Sequence, residues 1–137
     1  MPAKFFLDTN ILIYAYSSDD PSKKDICGEL LARKDIYVSV AVLNEFCNIM
    51  RIKLHRRGSE IELAVNELME YLDVLDVGVR DVREALRIWA QHGFHHFDAL
   101  HLACAYRHGC DVFLTEDKAL QHFKQGRLNV SNPFLAA

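Results

Sequence analysis

The chain has 137 residues, 50% of them apolar and 26% charged, which fits one globular domain (residues 1–137) with a core of its own. A formal net charge of −3 gives no global basic field, so a polyanionic partner would need a local patch of cations. The first apolar segment is cut by Asp8, Thr9 and Asn10, which reads as neither a signal peptide nor a membrane span; the cytoplasm is the expected location.

In chain order, the first strand-like run is Phe5–Leu7, followed by helical segments over Ile11–Tyr16 and 21–33, the second opened by Pro21. A strand over Ile36–Ser39 leads into a helix over 40–54, with Ser39 as its cap and an apolar stripe of Leu43, Phe46, Ile49 and Met50. Ser59 with Glu62 reads as a capping box for a helix reaching Tyr71, and Asp81 with Glu84 as a second box for a helix reaching Gln91. Between them lies a third strand, over 74–77. Residues 97–107 form a helix with few polar positions, expected to be buried and stopped by Gly109. A strand over Val112–Leu114, a short helix over 119–123 and a weaker strand over Leu128–Ser131 complete the elements, and the tail 132–137 is expected to be loosely held. Short apolar strands alternating with helices predict an α/β sandwich around a mainly parallel sheet.

Cys27, Cys47, Cys104 and Cys110 lack the paired spacing of zinc ligands. His101, Cys104 and His108 share a helix face, but that helix is apolar nearly all round, so the thiols read as small buried groups in a reducing compartment.

Four acids stand at element boundaries. Asp8 follows the first strand, and its plainer reading is a turn or cap residue, although Asn10 is an equal candidate for that cap. Glu45 lies at the edge of the apolar stripe of its helix, either reaching solvent or held near the top of the sheet. Asp98 opens the apolar helix, where an acid suits the helix dipole but, once buried, needs a partner. Asp117 follows the fourth strand and competes with Thr115 as a cap; Glu116 is the rival acid, expected from spacing to face solvent. Ligands bind outside the carboxyl ends of parallel strands, and all four acids can reach that edge. Two carboxylates about 4 Å apart repel by roughly 4 kcal/mol at an effective dielectric near 20. Such a cluster must take up protons or a divalent cation, and oxygen-only donors favour Mg²⁺ or Mn²⁺ over zinc.

The ordered set Leu7-Asp8-Thr9-Asn10, Asn44-Glu45, Phe97-Asp98-Ala99-Leu100-His101-Leu102-Ala103 and Leu114-Thr115-Glu116-Asp117 resembles the PIN-domain family, especially the small VapC-type toxin ribonucleases of bacterial toxin–antitoxin pairs. The resemblance implies a three-layer α/β/α fold with five parallel strands in the order 3-2-1-4-5. It implies Mg²⁺- or Mn²⁺-dependent cleavage of single-stranded RNA, a homodimer and a cognate antitoxin. By position it makes Asp8, Glu45, Asp98 and Asp117 the catalytic, metal-holding acids, with Asn10 and Thr115 as supporting polar groups.

Arg51, Lys53, Arg56 and Arg57 are candidates for phosphate contacts, against the plainer reading of a solvated helix end. His96 and His101 adjoin Asp98; the main expectation is a surface role, with His101 hydrogen-bonded near Asp98, and substrate contact or proton donation is the alternative. Two other function classes compete. A catalytically silent module binding RNA or a partner has no need of the four acids. A phosphatase of the haloacid dehalogenase type needs a second aspartate two residues after Asp8, where this chain has Asn10.

Overall fold

The computed structural model describes residues 2–135. Strands β1 (Phe5–Leu7), β2 (Ile36–Ser39), β3 (Asp73–Leu75), β4 (Val112–Leu114), β5 (Lys124–Gln125) and β6 (Leu128–Ser131) form one sheet in the order β3-β2-β1-β4-β6-β5. The expected five parallel strands are present in the expected order. The sixth, β5, is a two-residue antiparallel edge strand on β6. Gly126 makes that hairpin possible: its φ is +57°, and a Cβ there would come within 3.2 Å of the Tyr106 ring.

Six helices among the described residues complete a three-layer α/β/α sandwich: α1 (Thr9–Tyr16), α2 (Pro21–Leu31), α3 (Val40–Ile52), α4 (Gly58–Tyr71), α5 (Val79–His92) and α6 (His96–Arg107). Both faces of the sheet are covered, because Phe6 and Leu7, on opposite faces of β1, are both fully buried. Phe6 pairs in register with Phe113 of β4, and their rings stack at 5.3 Å. Helix α6 is buried at every position from Ala99 to Ala105 and forms the centre of its layer. It stops as expected: Gly109, at φ +76°, lets its own N–H reach the carbonyl of Tyr106 and that of Cys110 reach Ala105. No helix among the described residues is long and apolar enough to cross a membrane.

Several boundaries differ from expectation. Helix α1 starts at Thr9, directly on Asp8, whose Oδ1 accepts the Thr9 N–H at 2.8 Å; Asn10 is inside the helix. Helix α4 starts at Gly58, with Glu60 rather than Glu62 reaching back, to the Arg57 N–H at 3.1 Å. Helix α5 starts at Val79, so Asp81 is the acid that reaches back, to the Gly78 N–H at 2.8 Å, and not the cap. In the tail, Phe134 packs edge-on against Tyr14 at 5.3 Å with the Lys23 ammonium 5.1 Å from its ring, so the chain is anchored this far. Residues 136–137 lie outside the described residues.

Cys27, Cys104 and Cys110 are buried and Cys47 half-buried; all are free thiols. Burial pushes the Cys110 thiol up to about 11, which suits inert packing groups. His101 turns away from the thiols toward Glu45, while the Cys104 Sγ faces the Asp76 carbonyl at 3.9 Å.

Candidate active site

Strand pairing itself begins the site. Leu7 and Leu114 are register partners, so the residues that follow them, Asp8 and Thr115, leave the sheet side by side at its carboxyl edge. The Asp8 N–H bonds the Leu114 carbonyl at 3.0 Å. The Asp8 carboxylate is then fixed at both oxygens: Oδ1 by the Thr9 N–H, and Oδ2 by the Thr115 hydroxyl, which donates at 2.8 Å. Asn10 Nδ2 donates to Thr115 Oγ1 at 2.9 Å and so holds the hydroxyl in place. The cap and site readings of Asp8 are therefore one arrangement: one oxygen starts the helix while the carboxylate lines a cleft.

That cleft, of about 670 Å³, is lined by Asp8, Glu45, Asp98 and Asp117 together with Asn10 and Lys53. Glu45 arrives from α3, Asp98 from the first turn of α6 and Asp117 from the turn after β4. All four acids expected from the sequence thus reach one place. Asp117 Oδ1 caps the following 3₁₀ turn through the Ala119 N–H at 2.9 Å. Glu116 also borders the cleft but does not face solvent freely: Lys23 pairs with it at 2.8 Å and the Tyr14 hydroxyl donates to it. Lys23 lies on α2, far away in sequence, so local spacing gave no sign of this pair. Among the described residues Asp117 has no such cation partner. Asp19, on the loop between α1 and α2, is a further cleft acid that carried no sequence signal.

Burial raises the Asp8 carboxyl above its usual range, against the lowering effects of His101 and of the Thr115 and Thr9 hydrogen bonds. Glu45 is lowered, foremost by its hydrogen bond with His101, whose Nε2 lies 3.2 Å from Oε1. Among the described residues the buried Thr9 hydroxyl has no hydrogen bond of normal geometry, but it lies near enough to Glu45 to favour its charge. Asp98 is pushed up to about 6, first by burial and then by the negative charges of Asp8 and Asp117. The folded protein therefore holds the Asp98 proton more tightly than the unfolded chain. Its contribution is fully present below about pH 4 and is lost as pH rises through about 6. A carboxyl moved from 3.8 to about 6 costs roughly 3 kcal/mol once ionised, which solvent screening at this half-buried group reduces to about 1–2. Metal-free Asp98→Asn should thus match wild type near pH ~4 and exceed its stability by about 1–2 kcal/mol above pH ~7. Urea unfolding of both proteins in EDTA across this range checks the difference.

The basic run divides. Lys53 lines the cleft, and Arg51 is exposed on α3. Arg56 donates to the Tyr16 carbonyl at 3.2 Å, and Arg57 pairs with Glu60 at 3.3 Å. His101 is buried rather than at the surface as expected, and its hydrogen bond, one helical turn from Asp98, goes to Glu45, because position 101 faces α3 across the helix layer. His96 stands beside Phe97, with ring centroids 5.8 Å apart.

Fold and cleft together define a class: a three-layer α/β/α domain with carboxylates gathered at the carboxyl edge of its parallel strands. The chain belongs to the PIN domain family, which it matches over residues 5–125. Several solved structures share the fold. One is VapBC2 from Rickettsia felis bound to a promoter DNA fragment (18% identity, 93% of this chain and 97% of that one, TM-score 0.70). A toxin–antitoxin complex from Klebsiella pneumoniae is similar (18%, 97% and 98%, TM-score 0.72). So is VapC20 from Mycobacterium tuberculosis, described as a sarcin–ricin loop cleaving toxin (17%, 80% and 87%, TM-score 0.66). No curated protein matches the sequence significantly.

Proposed function

We propose that this PIN domain is an Mg²⁺- or Mn²⁺-dependent endoribonuclease that cuts single-stranded RNA, and that it is the toxin of a toxin–antitoxin pair. The observation that carries this reading is the convergence of Asp8, Glu45, Asp98 and Asp117 on one cleft. Among the described residues six carboxylates line it, counting Asp19 and Glu116, against one lining cation, Lys53. Such a surface repels an RNA phosphate unless a cation intervenes, and its oxygen donors suit a hard divalent ion. The donor chemistry and the negative charges of Asp8 and Asp117 that bear on Asp98 both fit that ion.

Asp8, Glu45, Asp98 and Asp117 are the residues that would hold it, with Asp117 preferred to Glu116 because Lys23 already neutralises the latter. A bound Mg²⁺ or Mn²⁺ supplies Lewis acidity toward the phosphate and a lowered pKa for a nucleophilic water. The chain's own part is positioning. Thr115, braced by Asn10, holds Asp8 at a fixed angle, and His101 engages Glu45. Lys53, on the rim, meets the RNA backbone.

The toxin role, and with it an antitoxin partner, draws support from fold-mates that are toxin–antitoxin complexes and whose length this chain covers almost completely; a homodimer and a cytoplasmic site of action belong to the same proposal. The direct test is incubation of end-labelled single-stranded RNA with the protein and Mg²⁺ or Mn²⁺. Internal cleavage is expected; RNA binding without cleavage under both metals would instead favour a silent binding module. Growth arrest on expression, relieved by co-expression of a small neighbouring gene, tests the toxin role.

The basic run supplies a sharper prediction. Lys53→Ala should weaken RNA binding about equally for all sequences and reduce the salt slope of binding by about 1, whereas Arg57→Ala, already paired with Glu60, should leave the slope unchanged. Fluorescence anisotropy over a salt series measures both.

A further inference from the structure

His101 is the one polar side chain in the buried stretch Ala99–Ala105, and only 1% of its surface is exposed. Its Nε2 lies 3.2 Å from Glu45 Oε1, and its Nδ1 is buried with no hydrogen-bond partner among the described residues. An ionised carboxylate only accepts hydrogen bonds, so the Nε2 that faces Glu45 carries the hydrogen and donates it. Among the described residues the ring has one polar engagement, and it is with Glu45.

Glu45 depends on that bond in return. Asp8 has a backbone N–H and a hydroxyl on its two oxygens, whereas the Glu45 carboxylate accepts no other hydrogen bond of normal geometry among the described residues. Its side chain is 35% exposed and has three rotatable bonds, so without the imidazole it is free to swing toward solvent. Atoms of Asp8, Glu45 and His101 lie within 4.8 Å of one another, so the bond keeps Glu45 beside Asp8.

Resting on the metal-site reading above, we infer that His101 is a positioning residue: it fixes the Glu45 carboxylate beside Asp8 and thereby sets the affinity of the cleft for a divalent cation. Asp98 and His101 lie one turn apart on α6, so a single helix would supply one acid directly and orient another from α3.

Mn²⁺ titration of the metal-free protein by calorimetry tests this without relying on turnover. His101→Leu should weaken Mn²⁺ binding about 10- to 100-fold, the range for losing a partner that orients a metal ligand. His101→Gln, whose amide nitrogen can reach the Nε2 position, should recover binding to within about 3-fold of wild type. In a Glu45→Gln background His101→Leu should add less than about 2-fold, because its effect runs through Glu45. If His101→Leu fails to fold, His101→Asn, polar but too short to reach Glu45, gives the same comparison. Wild-type affinity in His101→Leu or His101→Asn overturns the inference. So does a full further loss in the Glu45→Gln background, which would make the ring act independently of Glu45. A wild-type protein that binds no Mn²⁺ overturns the metal-site reading as well, so the two failures are distinguishable.

Discussion

Asp8→Asn should lower RNA cleavage at saturating Mn²⁺ by on the order of 10³-fold, about 4 kcal/mol of barrier, while leaving the protein folded. The substitution is nearly isosteric, and asparagine caps helices about as well as aspartate, so the contact to the Thr9 N–H survives. The Thr115 hydroxyl loses a charged acceptor, at a cost of roughly 1–3 kcal/mol. Removing a buried charge that repels Glu45 and Asp98 offsets much of that in the metal-free protein. Stability in EDTA should therefore stay within about 1 kcal/mol of wild type. Single-turnover cleavage and urea unfolding of the same preparations separate the two effects. A variant that unfolds would make Asp8 chiefly a structural cap; one that folds and cleaves normally would remove it from the chemistry.

Asp81→Ala should do the reverse. Asp81 is 1% exposed, accepts from Arg107 Nη1 at 2.7 Å, and takes the Gly78 N–H that opens α5. Breaking a buried pair by deleting one partner costs roughly 3–5 kcal/mol; because the Arg107 side chain is 28% exposed, a loss near the lower end, about 3 kcal/mol, is expected. For a domain of this size that lowers the melting temperature by roughly 10 °C. RNA cleavage per folded molecule should not change, since Asp81 ties α5 to α6 and does not line the cleft. A loss below about 1 kcal/mol would contradict the packing role given to this pair.

Asp8 and Asp81 show what was legible in the chain. Each is an acid beside an element start, yet Asp8 comes directly after a strand of the parallel core whereas Asp81 lies inside α5, beyond the loop that follows β3, and the direct placement marks the carboxyl edge of the sheet. The four acids could be gathered from sequence because each lies within a few residues of a strong apolar run. The helix starts are ambiguous in the sequence because Glu60 and Glu62, or Asp81 and Glu84, offer competing registers, and only the folded backbone selects which acid reaches back. Partnerships between distant segments left no local trace: Lys23 with Glu116 and His101 with Glu45 each join residues from separate helices or turns. Strand β5, two residues long, is too short to carry any alternation and is fixed by the Gly126 turn against Tyr106.

Whether the gathered carboxylates make this cleft a metal-dependent RNA-cutting site is decided by a metal back-titration. The protein is stripped with EDTA, exchanged into metal-free buffer, and assayed on end-labelled single-stranded RNA as Mn²⁺ is returned, with identically purified Asp8→Asn alongside. No cleavage is expected without metal, with saturable recovery in wild type and none in the variant. Full cleavage by the stripped protein, or equal recovery in Asp8→Asn, would contradict a metal-dependent site.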